Sequence, residues 1–85
     1  MTYTLLIKPS ARRELEALHD PMVRRVDKAI VSLAGNPRPP GAAKLTSASL
    51  YRIRVGAYRV VYEIDDRKKE VQVVSIGHRR EVYRR

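Results

Sequence analysis

Leu50-Tyr51-Arg52-Ile53-Arg54-Val55-Gly56-Ala57-Tyr58-Arg59-Val60-Val61-Tyr62 is the stretch from which the fold follows. Residues alternate in polarity on both sides of a Gly-Ala pair, the period-2 signature of two strands joined by a two-residue turn. With Gly56 and Ala57 as the loop, every cross-strand pair has the same residue-number sum. Val55 therefore faces Tyr58, Arg54 faces Arg59 and Arg52 faces Val61. Side chains of a pleated strand point alternately to opposite faces, so Tyr51, Ile53, Val55, Tyr58, Val60, Tyr62 and Ile64 form one apolar wall. Arg52, Arg54, Arg59, Val61 and Glu63 form the other side, which is cationic.

Downstream, Val71 to Ile76 continues the same period as a third strand of a meander, reached through the turn Asp65-Asp66-Arg67-Lys68. Upstream the period becomes 3.6. Ala11, Leu15 and Leu18 mark a first amphipathic helix with Ser10 as its expected N-cap. Asp20-Pro21 signals a second start, followed by the stripe Met22, Val26, Ala29, Ile30 and Leu33. Gly35-Asn36-Pro37 ends that helix, and Arg38-Pro39-Pro40-Gly41 is a stiff connection without regular structure. Thr2 to Ile7 has the β-branched and aromatic bias of a strand. The expected fold is α+β: an N-terminal strand and an antiparallel two-helix hairpin packed on a mostly antiparallel four-stranded sheet. Residues 1–85 are expected to form a single domain.

Composition agrees with a globular chain, at 44% hydrophobic and 32% charged residues. Cysteine is absent, which removes disulfides and thiolate metal sites and fits a cytoplasmic location. No apolar run reaches the length of a signal-peptide core or a membrane span, so no membrane partner is expected. The net charge of +9 attracts polyanions by Coulomb forces and counterion release, with nucleic acid the leading class.

Like charges directly opposed on a sheet repel, so Arg54 across from Arg59 points to an anion, and phosphate is the natural one. The tail Gly77-His78-Arg79-Arg80-Glu81-Val82-Tyr83-Arg84-Arg85 adds four arginines and an aromatic ring able to stack on a base. His19 and His78 lie far apart and no cysteine exists, so no metal is expected. No serine nucleophile has a base at a recognisable spacing, and the glycines form no phosphate-cradling loop, so no cofactor is expected. Metal-free RNA cleavage fits the residues, because the ribose 2′-hydroxyl is an internal nucleophile. The protein need only take its proton, stabilise the phosphorane and assist the leaving oxygen. Arginine is always protonated and cannot be the base, so Arg52, Arg54, Arg59 and Arg79 are assigned to phosphate and transition-state charge. Tyr83 is the leading base, with Glu81 in reserve and His78 as a further acid–base candidate. On these residues alone, phosphate binding has firmer support than cleavage.

Lys44-Leu45, the stretch from Leu50 to Tyr62, and Ile76-Gly77-His78-Arg79-Arg80-Glu81-Val82-Tyr83 together resemble the RelE-type toxins of the RelE/ParE superfamily. The resemblance spans nearly the whole chain, including the helical hairpin and Asn36-Pro37-Arg38. It implies a RelE-like microbial RNase fold and a toxin of a type II toxin–antitoxin pair. Such a toxin enters the A site of the 30S ribosomal subunit and cuts mRNA there, leaving a cyclic phosphate or 3′-phosphate. A cognate RelB-like antitoxin binds and blocks it. Arg52 and Arg54 match basic positions of the family motif, Arg59 and Arg79 its phosphate-stabilising arginines, and Tyr83 its C-terminal catalytic tyrosine. Lys44 and Arg80 join the RNA- and phosphate-binding set.

Two departures matter. Arginines stand where relatives often carry lysines, and the sequence ends at Arg85 without room for a further helix. Masking of the arginine face by an antitoxin segment is therefore expected in place of helix displacement. The rival readings are a ParE-like inhibitor of DNA gyrase and a non-catalytic RNA-binding module.

Overall fold

Residues 2–45 and 49–78 are described by the structure, a computed structural model. In chain order the elements are β1 (Thr4–Ile7), α1 (Pro9–Glu16), α2 (Met22–Ser32), β2 (Ala43–Lys44), β3 (Leu50–Val55), β4 (Tyr58–Asp65) and β5 (Glu70–His78). The strands form one sheet in the order β1-β5-β4-β3-β2, with β1 parallel to β5 and the other pairs antiparallel. This is the expected α+β architecture with five strands in place of four. The added strand is β2, whose two residues pair with Tyr51 and Arg52 of β3. Two residues carry no periodicity, so a sequence pattern cannot reveal it.

The central hairpin adopts the register that its two-residue loop requires, with Val55 on Tyr58, Arg54 on Arg59 and Arg52 on Val61. Gly56 has φ +61, and it is the turn residue that needs positive φ, as in a type II′ turn with glycine first. A side chain there would also meet the Met22 methyl group at 3.1 Å, so the glycine lets the turn pack on the start of α2. In the second hairpin, Asp65 closes β4, and its Oδ1 accepts from the amides of Arg67 (3.1 Å) and Lys68 (3.0 Å). This local bond replaces ladder pairing and shapes the turn.

Helix starts differ from expectation. α1 begins at Pro9 with Lys8 in the cap position, so Ser10 lies inside the helix and caps nothing. Proline tolerates the first turn because its missing amide would be unpaired there anyway. Pro21 takes the cap position of α2, and Asp20 makes no cap bond. It forms an exposed i,i+4 pair with Arg24 at 3.6 Å instead.

Both helices cover one face of the sheet. Ala11, Leu15, Val26, Ile30 and Leu33 close on Ile53, Val55, Val60, Tyr62, Ile64, Val71, Val73 and Ile76, all buried. Burial of a Leu, Ile or Val side chain contributes about 1.5–3 kcal/mol, and these residues are the main source of stability. β1 leaves the sheet where the Lys8 amide donates to the Val73 carbonyl at 3.0 Å. Beyond that point no strand among the described residues pairs with β5 on this edge. Glu14 of α1 fills the gap, its Oε1 accepting from the Ile76 amide at 2.8 Å.

One irregularity changes which face β5 presents. Val61 pairs with Ser75 but Tyr62 pairs with Val73, so Val74 is an extra residue. Strict alternation from Val71 and Val73 would turn Ser75 and Gly77 toward the helices. The inserted residue reverses this, sending Ile76 and His78 to the core side and Ser75 and Gly77 to the other. No helix among the described residues is long and apolar enough to cross a membrane.

Candidate nucleic-acid interface

The sheet face turned away from the helices carries Arg52 and Arg54 on β3, Arg59 on β4, and Ser75 and Gly77 on β5. Arg59 lies at the centre, with Arg54 opposite it on one neighbour and Gly77 on the other. Its cross-strand neighbours are therefore a second arginine on one side and a glycine on the other. Arg54 is exposed, Arg52 half-buried, and Arg59 only 5% exposed. Each guanidinium presents up to five N–H donors and no acceptor, so the cluster can only receive oxygen ligands. Direct opposition of like charges costs up to about 1 kcal/mol on a sheet, a cost that a bound anion removes.

Arg52 is tethered. Its Nη1 donates to the Gly41 carbonyl at 3.1 Å, while its buried Nε has no hydrogen-bond partner among the described residues. Gly41 belongs to the loop between α2 and β2 and has φ +92, a conformation that glycine adopts without strain.

A second arginine centre occupies the other end of β4, and sequence reasoning missed it. Arg38 reaches Asp66 through both terminal nitrogens, Nη2–Oδ2 at 2.9 Å and Nη1–Oδ1 at 3.3 Å, and its Nε donates to the Tyr51 hydroxyl at 3.2 Å. The Tyr3 hydroxyl donates to the same carboxylate at 2.7 Å. The Arg38 guanidinium also lies over the Tyr51 ring, 5.1 Å from its centroid, and Tyr51 stacks on Tyr62 at 6.0 Å. Hydrogen bonds from Arg38, then from Tyr3, hold the Asp66 pKa down to about 2. Asp66 in turn raises that of Arg38. Tyr62 is fully buried, and its hydroxyl donates to the Pro37 carbonyl at 2.7 Å. Burial pushes its pKa up to about 12, against a smaller opposing effect of the Arg38 charge. No sequence spacing links residues 3, 38, 51 and 66, so no pattern could have signalled this centre.

The remaining candidates divide. Lys44 is paired with Tyr51, which puts it on the helix side of the sheet edge and away from Arg52 and Arg54. His78 is paired with Tyr58, with the rings edge to face at 5.8 Å, and lies on the helix side through the extra residue in β5. These two candidates therefore lie on the side of the sheet opposite the arginine face. Glu63 is exposed and paired with Leu50 and Gln72, beside an open concavity of about 380 Å³ lined by Ser49, Glu63, Ile64, Asp65, Asp66 and Arg67. Arg79, Arg80, Glu81 and Tyr83 lie outside the described residues.

Comparison with known proteins agrees with this architecture. The family of ParE toxins of type II toxin–antitoxin systems, parDE, matches residues 5–83. Toxin RelG of Mycobacterium tuberculosis is 32% identical over 87 aligned positions, which span all of both chains. Among solved structures, the archaeal RelE–RelB complex from Pyrococcus horikoshii is similar with a TM-score of 0.83 and 28% identity, over 93% of this chain and 97% of that one. The E. coli toxin RelE in the free state, carrying two arginine-to-alanine substitutions, is similar with a TM-score of 0.81 and 30% identity, over 99% of this chain and 93% of that one.

Proposed function

The chain belongs to the ParE toxin family of type II toxin–antitoxin systems, and from that premise we propose that it is a metal-independent endoribonuclease that cuts mRNA in the ribosomal A site. The observation that carries this reading is the direct opposition of Arg54 and Arg59 on the sheet face turned away from the helices.

In the proposed reaction, Tyr83 as phenolate takes the proton of the ribose 2′-hydroxyl, and the freed oxygen attacks the adjacent phosphorus. A nearby guanidinium lowers a phenol pKa by favouring its charged form, and the arginines of the tail supply such groups. Arg59 and Arg79 neutralise the charge that develops on the phosphorane. Removing one such preorganised donor typically costs about 3 kcal/mol of barrier. The bond to the 5′-oxygen then breaks, that oxygen takes a proton from water, and the products are a 2′,3′-cyclic phosphate and a 5′-hydroxyl. Arg52, Arg54 and Arg80 hold neighbouring phosphates and set the register of the strand.

The partner reading follows the same charges. Solved relatives include RelE–RelB complexes, and a cognate RelB-like antitoxin is proposed to cover the arginine face with an acidic or amphipathic segment.

Primer extension on mRNA in a translating extract tests the proposal. Discrete cuts within codons are expected from the wild type and none from Arg59→Ala or Tyr83→Ala. Intact mRNA together with supercoiling defects would replace the nuclease reading with gyrase inhibition. Full activity of Tyr83→Phe would remove the tyrosine from the mechanism.

A further inference from the structure

We propose that the Arg38–Asp66 pair is a positioning device for Arg52. The pair fixes the bend from Asn36 to Ala42 and so holds the Gly41 carbonyl where it aims the Arg52 guanidinium along the sheet face. The inference rests on the RNA reading of that face, since it gives a reason for Arg52 to be aimed at all.

The bend has few ways to move. Pro37, Pro39 and Pro40 have φ confined by their rings. The Arg38 amide donates to the Asn36 side-chain oxygen at 3.1 Å, and the Ala42 amide closes a turn onto the Pro39 carbonyl at 3.0 Å. Tyr62 grips the start of the bend through the Pro37 carbonyl. A stiff segment held at one end transmits its position to the other, and Arg38 is the side chain by which this one is attached to the β4–β5 turn. At the far end, Gly41 accepts from Arg52 Nη1.

The same pair also acts from the other side of Arg52. Tyr51, the preceding residue of β3, receives the Arg38 Nε hydrogen bond and lies under the guanidinium plane. Arg52 is thus bracketed by two elements that both depend on Arg38. With one terminal nitrogen committed to Gly41, its other donors keep a defined direction, which a long, otherwise rotatable side chain beside two more cations would lack.

Two measurements on the intact chain test the device, using Asp66→Ala and Arg38→Gln. The first is the exchange rate with water of the Arg52 Nε–H group, followed by NMR and assigned by its loss in Arg52→Lys. Both variants should speed it by about tenfold or more while leaving the Arg54 signal unchanged. The second is the affinity for a fluorescein-labelled single-stranded RNA oligonucleotide at several salt concentrations. Each variant should reduce the salt slope by about one, as Arg52→Ala does, and combining either with Arg52→Ala should add nothing. Additive losses, or unchanged Arg52 exchange in both variants while Arg52→Ala still weakens RNA binding, would overturn the positioning role. If wild type and Arg52→Ala bind RNA with the same salt slope, the RNA reading of Arg52 fails instead, and the exchange rates identify that case separately.

Discussion

Arginine appears in two opposite settings at the two ends of β4. Arg38 has a bidentate carboxylate, a tyrosine hydroxyl and a ring face within reach. Arg54 and Arg59 are set against each other, with Gly77 as the next neighbour. The first setting answers the guanidinium's charge and donors from within the protein and joins distant parts of the chain. The second sets two cations directly against each other on the sheet face turned away from the helices. The difference separates a loop arginine that ties the bend before β2 to the β4–β5 turn from arginines carried by the strands of the sheet itself.

The sharpest way to break this contrast is Arg59→Ala. Cleavage in the translating extract should fall by about 10²–10³-fold, as for loss of a preorganised transition-state donor, with the fold retained by circular dichroism. Equal activity would place Arg59 with Arg38 as a structural residue.

Arg54→Glu should move stability and function in opposite directions. Replacing a repulsive cross-strand pair by an attractive one should raise stability by about 0.5 kcal/mol, or roughly 2–4 °C in melting temperature. RNA affinity should drop by about tenfold at physiological salt, because a cation is lost and an anion gained. A lower melting temperature would show that the opposed arginines are already satisfied within the protein.

At the other centre, Tyr62→Phe leaves the buried Pro37 carbonyl without its donor and should destabilise by about 1–3 kcal/mol in urea titrations. Its effect should also depend on pH. A phenol held up at about 12 when folded, against about 10 when unfolded, contributes stability that is complete below pH 10 and is lost as the pH rises toward 12. The alkaline loss should be missing in the phenylalanine variant.

The smallest expected effect is that of Asp66→Asn. A carboxyl held down to about 2 contributes stability that is present above its unfolded pKa near 4 and fades as the pH falls toward 2. The difference between wild type and variant should therefore be constant near neutrality and vanish in acid. The group is exposed, so salt should shrink the difference further. A difference that persists at pH 2 would mean that the carboxylate charge is not what joins Arg38 to the turn.

Much of the site could be read from the residues because the central loop has only two of them. A short loop leaves a single register, and the register sets Arg54 against Arg59 and separates the arginine face from the apolar wall. The helical stripes were equally legible, since burial of one face imposes its own period. The caps were not. Ser10 and Asp20 are good capping residues, yet the chain enters each helix one or two residues away from the expected start, because docking on the sheet outweighs about 1 kcal/mol of capping.

What the sequence by itself determined is therefore the local pairing: which strands turn back on each other, which side chains share a face, and the cationic character of one side. What only the tertiary structure decided depends on residues far apart in the chain. The extra residue in β5 reversed the face of His78 and put Gly77 beside Arg59, and the two-residue β2 carried Lys44 to the helix side. The Arg38 centre joined residues 3, 38, 51 and 66. A one-residue shift in pairing reverses a whole face, and a contact between distant residues exists only once the chain has closed around it; neither leaves a local pattern to read.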